Sequence, residues 1–297
     1  MEITHALSFD IEDWFHIVEI KASEDPADWP GFESIVRKRT REILDIVKTA
    51  RIRATFFILG WIAETYPDVV RMIADDGHEL GTHSFWHRKV YDLTPETFRE
   101  DLARSIDVIE RAAGVKVYGF RAPSFSIIPG TEWAFEVIKD VGLTYDASLF
   151  PARRAHGGYP CQQGPHLVEW SPGNSLPELP MSVMNLGPLR FGFSGGGYFR
   201  ILPLWLIERG IRKELNQGRP TVIYLHPRDF ATDCPNMPMP PHRRFKCYVG
   251  RKKTAQKLIK LVSRYPFSTC YDVMQQHSLL PANAKTETSD IAKDARP

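Results

Sequence analysis

Strand-like apolar runs alternate with amphipathic helical patterns along most of the chain, and this alternation restricts the fold more than any other feature. One strand and one helix recur roughly every 25 to 35 residues, as parallel β/α units do. We expect strands near 6–9, 55–59, 78–82, 115–120, 143–145 and 220–225, and helices near 32–50, 62–74, 94–114, 132–141, 204–216 and 252–265. The pattern predicts an α/β protein with a mainly parallel sheet.

A polar residue stands at the end of each of five predicted strands. These residues are Asp10, His83, Arg121, Asp146 and His226. The carboxyl ends of parallel strands meet on one edge of the sheet, and β/α barrels build their active sites there. Five such placements predict a functional site on that edge.

Two histidines, His83 and His87, are spaced so that both imidazoles would share one face of a helical turn and reach one divalent metal ion. Imidazole suits zinc, and a carboxylate as third ligand would leave a position open for water. The pair alone is a weak signal, because this spacing often arises by chance.

Three carboxylates occur within four residues, at Asp10, Glu12 and Asp13. Such a group repels itself unless a cation or hydrogen bonds hold it. An acidic, solvated loop is the alternative, but Trp14 and Phe15 follow directly and suit a pocket wall better.

Other metal and phosphate chemistries fit less well. Two histidines and a carboxylate also bind Fe(II) in non-haem oxygenases, but those lie on an all-β scaffold that the alternation opposes. A zincin protease needs glutamate where Ser84 stands. The glycine-rich run 194–199 lacks the spacing and lysine of a phosphate loop.

Charge and composition exclude several classes of partner. The chain has 297 residues, 43% of them hydrophobic, and a net charge of +2, so neither nucleic acid nor an anionic membrane is expected as the main partner. The basic clusters at 243–246 and 251–253 are interpreted as solvated surface. The four cysteines show no C-x-x-C spacing. No secretory signal or transmembrane span is recognised, so a cytoplasmic location is expected.

The chain is expected to form a single domain over residues 1–280. Residues 151–203 are rich in Pro and Gly and predict a β insertion, and residues 231–280 predict a helical extension. Residues 281–297 have the composition of a disordered tail.

The strand-end residues resemble, in order and spacing, the motifs of the polysaccharide deacetylase family (NodB homology, carbohydrate esterase family four). The matching pieces are Ser8-Phe9-Asp10, His83-x-x-x-His87, Arg121-x-Pro123, Asp146 and Leu225-His226, within residues 5–230. Residues 194–200 and 244–250 resemble a branch associated with bacterial exopolysaccharide or O-antigen gene clusters. The resemblance implies a distorted (β/α) barrel that hydrolyses acetyl groups on sugars with one divalent metal ion, usually zinc.

The resemblance also implies roles for individual residues. His83 and His87 would bind the metal together with Glu12, or with Asp13 as the alternative carboxylate. Asp10 would be the general base held by Arg121, and His226 the general acid held in its protonated form by Asp146. The Ser124 N–H would bind the oxyanion. Candidate surfaces for sugar stacking, each with a core position as the alternative, are Trp14, Trp86 and Tyr198.

Three departures from the family pattern bear on these roles. Ile11 stands where the family has a second aspartate, and Glu12 is favoured as the metal ligand because an extended strand points it to the same side as Asp10. The usual tryptophan of the fourth motif is not evident. Members that act on cell walls are exported, whereas no signal is recognised here, so nucleotide-linked or lipid-linked sugars are expected as substrates alongside polymers.

The sequence therefore predicts a metal-dependent hydrolase that removes acetyl groups, with N-acetyl favoured, from a sugar in bacterial surface polysaccharide or O-antigen biosynthesis. Two alternatives stay open: a catalytically inactive carbohydrate-binding protein of the same fold, and a hydrolase of another non-peptide C–N bond. The presence of Asp10, Arg121 and His226 together argues against binding alone, since binding needs neither base nor acid.

Overall fold

The computed structural model describes residues 3–18, 20, 23–153, 157–187, 189–235 and 237–281. The strands are β1 His5–Ile11, β2 Thr55–Ile58, β3 Glu79–Thr82, β4 Gly119–Phe120, β5 Tyr145–Asp146, β6 His166–Ser171, β7 Asn174–Glu178, β8 Val183–Leu186, β9 Leu189–Gly192, β10 Val222–Leu225 and β11 Phe267–Ser268. The predicted disordered tail, apart from Pro281, lies outside the described residues.

Helices connect these strands. They are α1 Val36–Thr49, α2 Gly60–Thr65, α3 Pro67–Asp75, α4 Pro95–Ala113, α5 Trp133–Asp140, α6 Gly196–Ile201, α7 Leu204–Leu215, α8 Pro227–Phe230, α9 Pro241–Tyr248, α10 Thr254–Val262 and α11 Cys270–Gln276. Short 3₁₀ turns occupy Trp14–His16, Pro26–Gly31, Val90–Asp92, Pro123–Phe125 and Arg251–Lys253. No helix of the described chain is long and apolar enough to cross a membrane.

Nine strands form one sheet in the order β10-β1-β2-β3-β4-β5-β7-β6, with β11 paired to β1. All pairs but the antiparallel β6–β7 are parallel. Strands β8 and β9 form a separate antiparallel hairpin. A single bridge joins Gly195 to Tyr224 of β10. The predicted α/β fold with a parallel sheet is confirmed; among the described residues the hydrogen-bonded order stays open between β6 and β10.

Both faces of the parallel sheet are buried. Leu7 and Phe9 of β1 join the cluster that packs against the helices, while Ala6 of β1 and Phe57 of β2 join a second cluster on the opposite face. Covered faces of this kind are typical of parallel sheets built from β/α units. Because side chains alternate along a strand, Ser8 and Asp10 lie on the same face as Ala6.

Several helices and strands begin or end at residues other than those predicted. The helix predicted over 62–74 is two helices, α2 and α3, because Pro67 begins a new helix. The strand predicted over 115–120 is reduced to Gly119–Phe120. The helix expected from Thr94 is present as α4, where the Thr94 hydroxyl accepts from the Thr97 N–H and Gly114 ends the helix at φ 68°. The predicted β insertion contains β6 to β9, and the C-terminal extension is helical apart from β11.

Candidate active site

Four parallel strands carry the predicted site residues to one edge of the sheet. Asp10 lies near the end of β1, His83 directly follows β3, Arg121 follows β4 and His226 follows β10. All four side chains are buried. The edge predicted from the strand ends is therefore the place where these residues meet.

The loop after β3 brings the two histidines together, but not on a helical turn. Ser84 and His87 adopt left-handed backbone angles (φ 64° and 57°), and the segment between them is irregular. Asp101 of α4 holds the loop by accepting hydrogen bonds from the Phe85 and Trp86 N–H groups at 2.6 and 3.2 Å. The predicted helical turn is wrong, yet the two imidazole centroids lie 5.1 Å apart.

Glu12, His83 and His87 form a compact buried group. One ligand atom from each lies within 4.8 Å of the other two, and His87 Nε2 is 2.7 Å from Glu12 Oε2. That carboxylate oxygen is buried and has no hydrogen-bond partner among the described residues. A buried carboxylate oxygen next to an imidazole nitrogen, both of the type that binds divalent cations, makes this donor group fit a metal such as zinc.

The tautomer of His83 also suits a metal ligand. Its Nδ1 lies 2.7 Å from the Arg121 carbonyl oxygen, which only accepts, so Nδ1 carries the hydrogen and Nε2 keeps its lone pair. Burial lowers the pKa of His83 to about 4. The imidazole is therefore neutral near pH 7, as a ligand must be.

Asp13, the alternative carboxylate, is used elsewhere. It caps the 3₁₀ turn that follows it, accepting from the Trp14 N–H at 2.8 Å and from Ser34 Oγ at 2.5 Å. The N–H groups of Ile35 and Val36 lie 3.2 and 3.3 Å from Asp13 Oδ2. With its oxygens turned to these donors, Asp13 lies outside the group formed by Glu12 and the histidines.

Asp10 is held by Arg121, the contact expected from the family motifs. Arg121 Nη1 donates to Asp10 Oδ1 and to Ser8 Oγ, both at 2.8 Å, and its guanidinium lies over the ring of Phe57. Burial alone would raise the pKa of Asp10, but the charges of Arg121 and the nearby histidines lower it overall. Asp10 is thus an ionised, fixed carboxylate at neutral pH.

His226 has a different carboxylate partner from the predicted one. Its Nδ1 lies 2.9 Å from Asp229 Oδ2, and its Nε2 lies 3.7 Å from Asp10 Oδ2 and 3.5 Å from Glu12 Oε1. Asp229 in turn forms an ion pair at 2.8 Å with Arg200. Asp229 takes the position assigned to Asp146 because it lies one helical turn beyond His226, at the start of α8.

Asp146 belongs to a separate buried cluster, which corrects the prediction that it holds His226. It accepts from Ser148 Oγ at 2.5 Å and pairs in the sheet with Glu178 of β7. Burial raises the pKa of Asp146 to about 6 and that of Glu178 well above its usual value. Asp146 is thus engaged by Ser148 and the strand that carries Glu178, while Asp229 takes the Nδ1 of His226.

Two site residues, Arg228 and Asp229, were missed by sequence reasoning. Arg228 Nη1 forms a close ion pair with Glu12 Oε1. Burial alone would lower the pKa of Arg228, but the negative charges of Glu12 and Asp229 raise that pKa above its usual value. The signal was present in the segment after His226, where Pro227 at the first helical position and an acidic residue at the third mark a capped helix start.

The residues predicted to bind the oxyanion or to stack against a sugar differ in their exposure and surroundings. Trp14 is only 5% exposed and donates its indole N–H to the Glu33 carbonyl, so it is a core residue rather than a stacking surface. Trp86 is half-buried between Trp29 and the Arg104 guanidinium. Tyr198 of α6 is exposed. Ser124 lies in the turn after Arg121 with a left-handed backbone (φ 57°), and its role stays a prediction.

Comparisons with known proteins agree with this geometry. The polysaccharide deacetylase family model matches residues 27–146, and a domain of unknown function (DUF3473) matches residues 147–275. Peptidoglycan-N-acetylglucosamine deacetylase of Bacillus cereus is 33% identical over 98 residues, covering 33% of this chain and 36% of that protein. Chitooligosaccharide deacetylase of Rhizobium leguminosarum bv. trifolii is 32% identical over 73 residues, covering 25% and 34%. The match thus spans about a third of each relative.

Solved structures share the fold across nearly the whole chain. A candidate polysaccharide deacetylase from Mycobacterium smegmatis superposes with a TM-score of 0.62 at 21% identity, covering 95% of this chain and 93% of its own. A pseudoenzyme of the CE4 family from Bacillus anthracis gives a TM-score of 0.51 at 14% identity, covering 92% and 66%. Residues 27–146 are thus similar to the polysaccharide deacetylase family, and the solved structures share the fold of the whole chain.

Proposed function

We propose that the protein is a metal-dependent hydrolase that removes acetyl groups, N-acetyl in the first place, from a sugar. The observation that carries the proposal is the grouping of three metal-type ligands with an ionised carboxylate and an imidazole on one sheet edge. His226 Nε2 lies within 4 Å of both Asp10 and Glu12, so base, acid and metal ligands surround one small space. Metal-assisted hydrolysis of an acetyl amide uses these three functions together.

The chain's own residues divide the work. Glu12, His83 and His87 would hold the metal, which when bound polarises the acetyl carbonyl and makes water a stronger acid. Asp10 accepts the proton of the attacking water, and Arg121 keeps that carboxylate ionised and correctly turned. The Ser124 N–H is proposed as a donor to the oxyanion.

His226 is proposed as the acid that protonates the departing amine. Its Nδ1 is engaged by Asp229, so Nε2 is the atom that faces Asp10 and delivers the proton. Burial alone would raise the pKa of Asp229, but Arg200 and His226 lower it below its usual range. Asp229 therefore stays anionic and can stabilise an imidazolium.

The substrate is proposed to be an N-acetylated amino sugar of a bacterial exopolysaccharide or O-antigen, in nucleotide-linked, lipid-linked or polymeric form. The relatives described above are, by name, deacetylases of peptidoglycan N-acetylglucosamine and of chitooligosaccharides. The resemblance of residues 194–200 and 244–250 to the exopolysaccharide branch supports the narrower assignment. The proposed sugar contacts are Trp86, which is half-buried, and Tyr198, which is exposed.

A second candidate is a carbohydrate-binding protein of the same fold without catalysis. The ion pair of Arg228 with Glu12 favours it, because an arginine already supplies positive charge to the carboxylate that would bind metal. The second Glu12 oxygen still lacks a hydrogen-bond partner and faces His87, so the hydrolase remains the better supported function.

Acetate release from N-acetylated oligosaccharides by the zinc-loaded protein tests the proposal. We expect His226→Ala and Asp229→Asn each to lower kcat by about 10² to 10⁴, the usual worth of a general acid and its support. Asp233→Asn, which alters an exposed aspartate four residues further along, is the matched control and should leave kcat unchanged.

Wild-type protein that binds oligosaccharide and one zinc ion but releases no acetate would establish the second candidate instead. Normal acetate release in His226→Ala would contradict the assigned acid. Circular dichroism of each variant shows that a loss of activity is not a loss of folding.

A further inference from the structure

The C-terminal part of the chain is strongly basic although the whole chain is nearly neutral. Residues 234–271 contain nine of the 38 Lys and Arg and none of the 36 Asp and Glu. The rest of the chain therefore has 29 basic residues against 36 acidic ones. The net charge of +2 does not reveal this asymmetry. A basic segment of this kind indicates an anionic partner.

Exposed apolar side chains occur on helices of this basic segment and on the preceding helices α6 and α7. Six large hydrophobic residues are exposed in the described chain, and five of them lie on α6, α7, α9 and α10. They are Tyr198, Ile201, Trp205, Phe245 and Ile259, with exposed fractions between 43% and 62%. The sixth, Leu167, lies on β6. Exposed apolar residues are common singly, but five of six in one group of helices indicate an interaction surface.

Hydrogen bonds tie α6, α9 and α10 into one unit, and α7 follows α6 directly in the chain. Arg200 of α6 donates to the Cys247 and Val249 carbonyls at the end of α9, both at 2.9 Å. Lys257 of α10 donates to the Arg200 and Leu202 carbonyls at the end of α6, both at 2.7 Å. Exposed cations of residues 234–271 include Arg244, Lys252, Lys253 and Lys260. We call these four cations and the five apolar residues the basic aromatic surface.

The basic aromatic surface is joined to the candidate active site. Arg200 pairs with Asp229 at 2.8 Å, and Asp229 holds His226 Nδ1 at 2.9 Å. The helices that carry the surface therefore reach the proposed acid, His226, through a single intervening residue, Asp229. This contact lies at the edge of the sheet where the candidate site is found.

We propose that the basic aromatic surface docks the protein on a bilayer that contains anionic phospholipid. Tryptophan and tyrosine prefer the level of the headgroups, phenylalanine and isoleucine bury in the acyl boundary, and lysine and arginine attract anionic headgroups. An acidic polysaccharide would also attract the cations. It offers nothing to Ile201 and Ile259, however, and their exposure favours lipid.

Docking at this place would set the candidate site beside the headgroup layer, where the sugar of a lipid-linked glycan lies. That consequence rests on the proposed deacetylase function, whereas docking itself does not. Binding and catalysis can therefore fail separately, and the experiment measures them separately.

The test is co-sedimentation of the full chain with phosphatidylcholine vesicles that contain about one third phosphatidylglycerol. We expect binding to these vesicles, little binding to vesicles of phosphatidylcholine alone, and release at roughly 0.5 M salt, where surface charges are screened. Acetate release from a soluble oligosaccharide is measured on the same samples.

Three variants make the test specific. Lys252→Gln with Lys253→Gln removes two charges and should weaken vesicle binding at least tenfold, since each cation near the surface contributes about a fivefold effect. Trp205→Ala should weaken binding on the order of tenfold. Leu167→Ala removes a comparably exposed apolar residue on β6 and should leave binding unchanged.

Equal binding to both kinds of vesicle, no binding to either, or equal losses in Leu167→Ala and Trp205→Ala would overturn the proposal. Retention on an immobilised acidic polysaccharide without vesicle binding would assign the surface to a polymer and would overturn it too. Vesicle binding without acetate release would support docking and contradict the proposed function alone.

Discussion

Glu12 and Asp13 are adjacent carboxylates with opposite surroundings. Glu12 faces His87 with one oxygen that lacks a hydrogen-bond partner, whereas Asp13 is covered by donors from Trp14, Ser34 and the start of α1. A bound cation would give the Glu12 oxygen a partner, whereas the Asp13 oxygens already accept hydrogen bonds. The two residues should therefore differ in what their removal does.

We expect Glu12→Gln to lose the metal while the fold persists, because an amide is a much poorer zinc ligand than a carboxylate. Asp13→Ala should keep about one metal ion per chain and lose stability by on the order of 1 to 2 kcal/mol, the usual cost of losing a side-chain cap. Metal analysis and thermal unfolding of both variants provide the measurements. If Asp13→Ala lost its metal and Glu12→Gln kept it, the ligand assignment would be reversed.

At this scale the sequence predicted what spacing and strand direction can show. Glu12 was favoured over Asp13 from the alternation of a strand, and Arg121 was expected against Asp10 from the family motifs. The partner of His226 could not be predicted in the same way. Asp146 and Asp229 are both aspartates near strand ends, and only the short helix α8 turns Asp229 back onto the ring.

At the scale of elements, β5 and β7 support the site without taking part in it. Asp146 and Glu178 sit opposite each other in the sheet, and Glu178 Oε1 accepts from the Leu149 N–H at 3.0 Å. Ser148 donates to Asp146 and accepts from the Ala122 N–H at 2.7 Å. The connected segment 147–149 supplies the Ala147 carbonyl that receives Arg121 Nε at 3.2 Å. The pair thus positions the backbone around Arg121.

This carboxyl pair should make stability depend on pH. In the unfolded chain a carboxyl loses its proton near pH 4, whereas burial raises the pKa of Asp146 to about 6 and that of Glu178 well above its usual value. Between the pKa values of the unfolded and the folded state, the folded chain binds more protons than the unfolded chain. The stabilisation that the carboxyl pair contributes is therefore complete below about pH 4 and is lost as the pH rises through about 6.

We therefore expect Glu178→Gln to gain stability relative to wild type as the pH rises from about 4 to 8, because the variant has no buried carboxyl at this position that must lose its proton. Urea unfolding across this range measures the difference. Glu169→Gln alters an exposed glutamate of β6 and should show a constant difference. A constant difference for Glu178→Gln as well would mean that the pair holds no extra proton.

Elements were predicted best where local chemistry decides them. The α4 helix has a threonine cap, a proline at its first position and a glycine at its end, and its predicted limits were nearly right. The helical turn predicted at His83 failed because its loop is shaped by Asp101, which lies on another helix and gives no local signal. Gly119 is similar, because only the tertiary contact with the Tyr145 ring explains why no side chain fits there.

On the scale of the whole molecule, the two matched families divide the chain where the structure does not. The first match ends at residue 146 and the second begins at 147. Strand β10 belongs to the second match and pairs along β1, which precedes both matches, with Ile223 opposite Leu7, while β1 pairs on its other side along β2 of the first match. The candidate site also draws on both matches, since Glu12, which precedes them, meets His87 of the first and His226 of the second.

A core substitution in β10 should therefore destabilise the whole chain. Ile223→Ala empties a fully buried position and should cost about 2 to 5 kcal/mol. Five of the seven tryptophans precede residue 147, so fluorescence mainly reports the first part, whereas circular dichroism reports both. In denaturant, both signals should shift to the same lower midpoint, because one sheet holds the two parts together. Ile259→Ala, at an exposed position of α10, should shift neither signal. A fluorescence midpoint that stayed at the wild-type value in Ile223→Ala would show that the two matched regions unfold independently.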